Sequence, residues 1–130
     1  EPLDPYAIDT FNMAKLDHSA REHSPHATML AYYQALLGFR KILLATADVD
    51  RRDAYADEAT RTVVVTYGSG DKSFLLALSF SDAPQSIALP TGRWHIALDS
   101  SAPEWGGAQP STLDSTTLTL PPSAAVLLRK

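Results

Sequence analysis

Val63-Val64-Val65-Thr66-Tyr67, then Gly68-Ser69-Gly70-Asp71, then Phe74-Leu75-Leu76-Ala77-Leu78-Ser79-Phe80 is the stretch whose reading decides the fold. The first run is β-branched and aromatic, the side-chain types that fit a pleated surface. The glycine-bearing residues between the runs make a turn, so the spacing predicts an antiparallel hairpin.

Downstream the same alternation of short apolar runs and breakers continues. Ser86–Leu89, Trp94–Asp99, Thr116–Leu120 and Ala124–Leu128 read as strands, separated by Pro90-Thr91-Gly92, by the Gly/Pro/Ser-rich stretch from Ser100 to Ser111, and by Pro121-Pro122. Six short strands with this punctuation predict a mainly β chain, an antiparallel sandwich or partly open barrel. The loop from Ser100 to about Leu113 is long for a hairpin connection, which marks it as packed locally or mobile.

Upstream the pattern changes. Asp48 to Arg61 is rich in Asp and Arg and reads as a polar connector. Before it, Ser19 and Glu22 have capping-box spacing, and Ser24-Pro25 supplies an N-cap followed by Pro at a first helical position. A helix from about Pro25 to Leu44 follows. Set at 100° per residue, Met29, Leu30, Tyr32, Tyr33, Leu36, Leu37, Phe39, Leu43 and Leu44 cover half of its cylinder, so the helix is expected to pack against more than one neighbour. The opposite side is small: Ala27, Ala31, Ala35 and Gly38. That permits close backbone approach, although alanine is also simply the best helix former. Residues 1–17 carry Pro2, Pro5 and scattered apolar anchors (Leu3, Tyr6, Ile8, Phe11, Met13, Leu16), and read as an ordered loop packed on something. The expected organisation is therefore 1–47 loop plus helix, 48–61 connector and 62–130 β domain.

The chain has 130 residues, 45% of them apolar and 20% charged, enough for one real core and too few for a whole (β/α)8 barrel of about 250 residues. A net charge of −4 gives no footprint for nucleic acid or an anionic membrane, and neither partner is expected. No run approaches the roughly 20 apolar residues of a membrane span. With no cysteine there is no thiolate nucleophile, disulfide or thiolate metal site, and the composition suits a reducing, cytoplasmic setting. The chain starts at Glu1 without an initiator Met, which fits a piece of a longer protein.

Candidate chemistry is sparse. His23 and His26, with His18 and Asp17 nearby, have metal-like spacing, but no compact set of further ligands accompanies them and no metal is assigned. Asp48-Val49-Asp50 begins like a calcium loop, then puts Arg52, Asp53 and Ala59 where an oxygen ligand, Gly and Glu belong. Gly68 to Ser73 resembles a phosphate loop only until Asp71 replaces the glycine before Lys72 and a strand follows. A glycosidase needs two rigidly placed carboxyl groups, one to protonate the leaving oxygen and one to attack or to activate water. The acids here stand in polar connectors or turns, so no catalytic residue and no cofactor is assigned. Of the tryptophans, Trp94 begins a strand and belongs in the core. Trp105, in Pro103-Glu104-Trp105-Gly106-Gly107, is the candidate platform for stacking on a pyranose ring, weighed against the plainer role of a loop anchor.

Asp4-Pro5, Thr10-Phe11, Lys15-Leu16-Asp17-His18 and then Leu30, Tyr33, Leu36-Leu37 and Phe39-Arg40 resemble the end of the catalytic barrel in glycoside hydrolase family 13. The resemblance is closest to the maltooligosyltrehalose trehalohydrolases, with Gln34 where arginine and His18 where tryptophan are common. Leu75 to Ser81 and Leu120 to Leu127 resemble strands of that family's C-terminal β domain. The resemblance implies that the chain is the non-catalytic tail of an α-glucan-acting hydrolase: the last barrel helix plus a β-sandwich that stabilises the upstream barrel of the same protein. It implies a parent that hydrolyses maltooligosyltrehalose to release trehalose, with its three carboxylates upstream of this chain. Lys15 and Asp17, on a loop following the last barrel strand, would reach the active-site rim and substrate. A stand-alone carbohydrate-binding module with Trp105 as platform, or the tail of another such enzyme, for example a branching enzyme, are the alternatives.

Overall fold

The computed structural model describes residues 4–48, 50 and 52–130. Pro2 and Leu3, read above as a turn residue and an apolar anchor, and Val49 and Arg51 of the connector lie outside them.

The described chain runs through α1 (Ile8–Met13), a 3-10 turn at His18–Glu22 and α2 (His26–Thr46), and then turns entirely to β structure. The strands are β1 (Arg52–Asp57), β2 (Thr62–Tyr67), β3 (Phe74–Ser79), β4 (Gln85–Ala88), β5 (His95–Asp99), β6 (Thr112–Leu113), β7 (Thr117–Leu120) and β8 (Ala125–Arg129). They form two antiparallel sheets, one of order β1-β2-β3-β8-β5 and one of order β4-β7-β6. The fold is a β-sandwich preceded by a long helix.

The hairpin forms as read: β2 pairs β3 with Val64 opposite Ala77 and Tyr67 opposite Phe74. Gly68 is required at its turn, because it sits at φ 76° and a Cβ there would meet the Lys72 carbonyl oxygen at 2.5 Å. The alternation of the strands then sorts the side chains. Val64, Leu75, Ala77, Val126 and Leu128 point from the larger sheet towards Ile87, Leu118 and Leu120 of the smaller one, and Trp94 and Ala124 complete the core. Leu75, Leu118, Leu120 and Leu128 are fully buried, each worth about 2 kcal/mol of transfer free energy.

Two strands fall where the sequence pattern shows none. The stretch read as connector contains β1, whose six residues pair in unbroken register with β2 although all are exposed. β1 is an edge strand held by backbone ladder bonds, and the charges of Arg52, Asp53 and Asp57 that hide it from pattern reading also discourage further pairing at that edge. The two-residue β6 is too short to carry a period.

The segment before α2 differs from its expected capping. Asp17, not Ser19, is the cap: its carboxylate accepts from the Ser19 amide at 2.9 Å and the Ser19 hydroxyl at 2.6 Å, opening the 3-10 turn that absorbs Glu22. Pro25 takes the N-cap position of α2, with no side-chain cap from Ser24. An ionised acceptor outcompetes a hydroxyl for these amides.

The second face of the larger sheet is also apolar, because Leu76 lies opposite Leu127 and Leu127 opposite Leu98. Helix α2 runs over this face with Tyr32, Phe39 and Leu43 half-buried. No residue of α2 is fully buried, and Met29, Tyr33, Leu37 and Leu44 remain 55–58% exposed. Three of the nine residues of the apolar arc are thus seated, and six are open. A Cβ built on Gly38 meets nothing within 4 Å, so among the described residues no backbone approaches that position.

Candidate functional site

Between α2 and the larger sheet lies a cleft of about 460 Å3, lined by Tyr32, Leu36, Phe39 and Leu43 from the helix and by Tyr67, Leu76, Leu98 and Leu127 from the sheet. Arg40, Asp50 and Arg52 stand at its margin. The lining is predominantly aliphatic and aromatic, which fits a packing surface, and among the described residues Asp50 is its single carboxylate.

At one end of the helix the loop between β5 and β6 rises to meet it. A single 3-10 turn, Pro103–Trp105, carries Trp105 against Tyr32, with ring centroids 5.3 Å apart at 61°. This edge-to-face geometry is a favoured aromatic pairing. The indole Nε1 is buried without a hydrogen-bond partner, at a cost of about 1–3 kcal/mol, so the ring is held by apolar contact alone. Trp94 differs: it is in the core and donates from Nε1 to the Pro90 carbonyl at 2.8 Å.

The loop is braced from below by Asp99, a buried carboxylate that accepts from the Ser101 amide at 2.9 Å, the Ser101 hydroxyl at 2.5 Å and the Ser111 amide at 2.6 Å. One side chain therefore ties together both ends of the long loop. The glycines after Trp105 serve this packing. Gly106 caps the turn at φ 86°, and a Cβ on Gly107 would fall 2.0 Å from the Ser101 carbonyl oxygen.

Electrostatics follow the same contacts. The Tyr32 phenol is pushed above its ordinary value of 10.0, by burial first and then by the negative charge of Asp99 and by Tyr33. Asp17, Asp57 and Asp114 are held below the ordinary 3.8 by hydrogen bonds to their ionised forms: from Ser19 to Asp17, from Thr60 and Ala59 to Asp57, and from Thr116 and Thr117 to Asp114.

The three residues singled out from the sequence are not brought together. Lys15 sits on the N-terminal segment with its ammonium 4.7 Å from the centre of the Phe11 ring. Asp17 caps the following turn and shares a shallow depression with His18, Arg21 and His26. Trp105 packs on the sandwich side of α2. Among the described residues no group of three or more His, Asp or Glu is arranged to hold a metal ion. Sequence reasoning missed Asp99 and Tyr32. Asp99 has a local signal, an Asp two residues before a Ser, which favours a turn closed by its own side chain. The Tyr32 contact has none, since its partner comes from the far end of the chain.

Residues 50–127 match the family described as domain of unknown function (DUF3459). The chain belongs to this family. DUF3459 is the C-terminal domain of α-amylase-family enzymes, and the match takes in β1 as well as the later strands. No curated protein matches the chain. Among solved structures it resembles a MUTB mutant from crystals soaked with trehalulose, at 18% identity and a TM-score of 0.57 over 89% of this chain. That likeness is one of fold. The chain spans only 21% of the MUTB chain's length. In this DUF3459 chain no helix among the described residues is long and apolar enough to cross a membrane.

Proposed function

We propose that this DUF3459 chain is the non-catalytic tail of an α-glucan-acting hydrolase, in which residues 1–47 close the catalytic barrel and the sandwich braces that closure. The observation that carries the reading is the largely open apolar arc of the helix. Its Tyr32, Phe39 and Leu43 stripe faces the sheet across the cleft, while Met29, Tyr33, Leu37 and Leu44 stay 55–58% exposed beside it. The N-terminal segment adds Tyr6 at 95%, Leu16 at 81% and Phe11 at 59% exposure. Apolar surface of this extent marks an interface, and an upstream barrel of the same protein is the partner that continues a helix of this kind.

The parent reaction is the hydrolysis of maltooligosyltrehalose to trehalose, on the motif Asp4-Pro5, Thr10-Phe11 and Lys15 to His18. In that reaction Lys15 and Asp17 reach the substrate rim, the catalytic carboxylates belong to the upstream barrel, and the cysteine-free composition suits a cytoplasmic setting. The alternative role of Trp105 as a sugar platform rests on the residue being only half-buried in a glycine-rich loop.

A product assay on the parent enzyme tests the proposal. Incubation with maltooligosyltrehalose is expected to yield free trehalose, and the isolated chain none. New branch points on a linear glucan without trehalose release would assign the tail to a branching enzyme. Binding of maltooligosaccharides by the isolated chain at millimolar concentration or below, abolished by Trp105→Ala, would replace the bracing role with a binding module.

A further inference from the structure

We infer that the loop carrying Trp105 is the clamp that sets α2 on the sandwich, with Asp99 as the residue that holds the clamp closed. Between Tyr32 and Leu44 the cleft of about 460 Å3 lies between α2 and the sheet. At Tyr32 the Trp105 ring approaches to 5.3 Å between centroids, and beyond the other end of the helix a Cβ built on Gly68 of the β2–β3 turn would lie 3.5 Å from Ala47. A second, smaller depression lined by Met29, Tyr32, Ser100 and Trp105 marks the same junction.

The clamp is rigid on the sandwich side. Backbone bonds from Trp105 and Gly107 return to the Ala102 carbonyl at 3.0 and 3.1 Å, and the Ala102 amide donates to the Asp99 carbonyl at 3.2 Å. Ser100 Oγ accepts from the Ala125 amide of β8 at 2.8 Å, and the Asp99 carboxylate accepts from Ser101 and Ser111 across the loop. The position of the indole is therefore inherited from β5 and β8, an edge strand of the larger sheet and its neighbour. Shifting the N-terminal part of α2 along the sheet face requires the aromatic contact to break. The clamp thus fixes the angle between the helix and the sandwich, and with it the placement of whatever is joined to the helix.

Amide hydrogen exchange on the whole 130-residue chain tests it. Trp105→Ala, and separately Tyr32→Leu, which leaves the sandwich core untouched, are each expected to speed exchange in α2 by about tenfold while β3 and β8 keep their protection. Asp99→Asn, which alters only side-chain hydrogen bonds to loop residues, is expected to act on α2 in the same direction. Trp105→Phe keeps the ring, drops the unpartnered N–H, and is expected to restore wild-type protection of α2. Unchanged exchange in α2 for both Trp105→Ala and Tyr32→Leu would overturn the clamp. Equal loss in α2 and β3 for both would reduce Trp105 and Tyr32 to general stability.

Discussion

At the scale of single residues the loop from Asp99 to Ser111 shows how little slack the sandwich has. Gly107 packs with its α-carbon against the Ser101 backbone, so Gly107→Ala forces backbone apart rather than a flexible side chain. The expected loss is about 2–3 kcal/mol in urea unfolding, at the upper end for overpacking, and it should appear in the Trp94 signal of the core. Tyr32 makes a pH statement of opposite character. Its folded pKa is raised, so the neutral phenol stabilises the folded chain fully below pH 10.0 and that stability is lost as pH rises through the folded value. An alkaline titration is therefore expected to loosen α2 from pH 10.0 upwards, and Tyr32→Phe to remove that step from the helical circular dichroism. The three lowered carboxylates work in the other direction, their stabilisation being present above 3.8 and lost as pH falls below it.

The elements divide by how their residues are buried. β2, β3 and β8 present two apolar faces, one to the core and one to α2, and their β-branched and leucine-rich runs are legible for that reason. β1 is not legible, because an edge strand needs a ladder partner more than it needs apolar side chains. Helix α2 was readable in type and extent, and its broad arc already implied a second neighbour. Gly38 distinguishes the two surroundings of that helix. In the isolated chain Gly38→Ala meets open space and is expected to raise helix stability by up to about 1 kcal/mol, read by thermal loss of helical signal. In the parent enzyme the same change is expected to lower the melting temperature if the small-residue side meets the barrel closely, and an increase there would show that side to be solvent-facing.

For the molecule as a whole, the sandwich is self-contained and the segment before it is not. Every residue of the hydrophobic core lies between Val64 and Leu128, while α1 and α2 contain no buried residue. The fold class followed from local chemistry: β-branched runs, turn glycines and prolines, and a half-apolar helix are properties of neighbouring residues, and neighbours are what a sequence displays. The family's C-terminal β domain was legible on the same basis, through short runs in the strands. What tertiary structure alone decided is the junction. Asp99 and Ser111 meet because a loop closes, and Tyr32 and Trp105 because a helix and a sheet drawn from opposite ends of the chain stack face to face. Such contacts depend on where elements come to rest, which no local period encodes, so only the folded molecule identifies the residues that couple helix to sandwich.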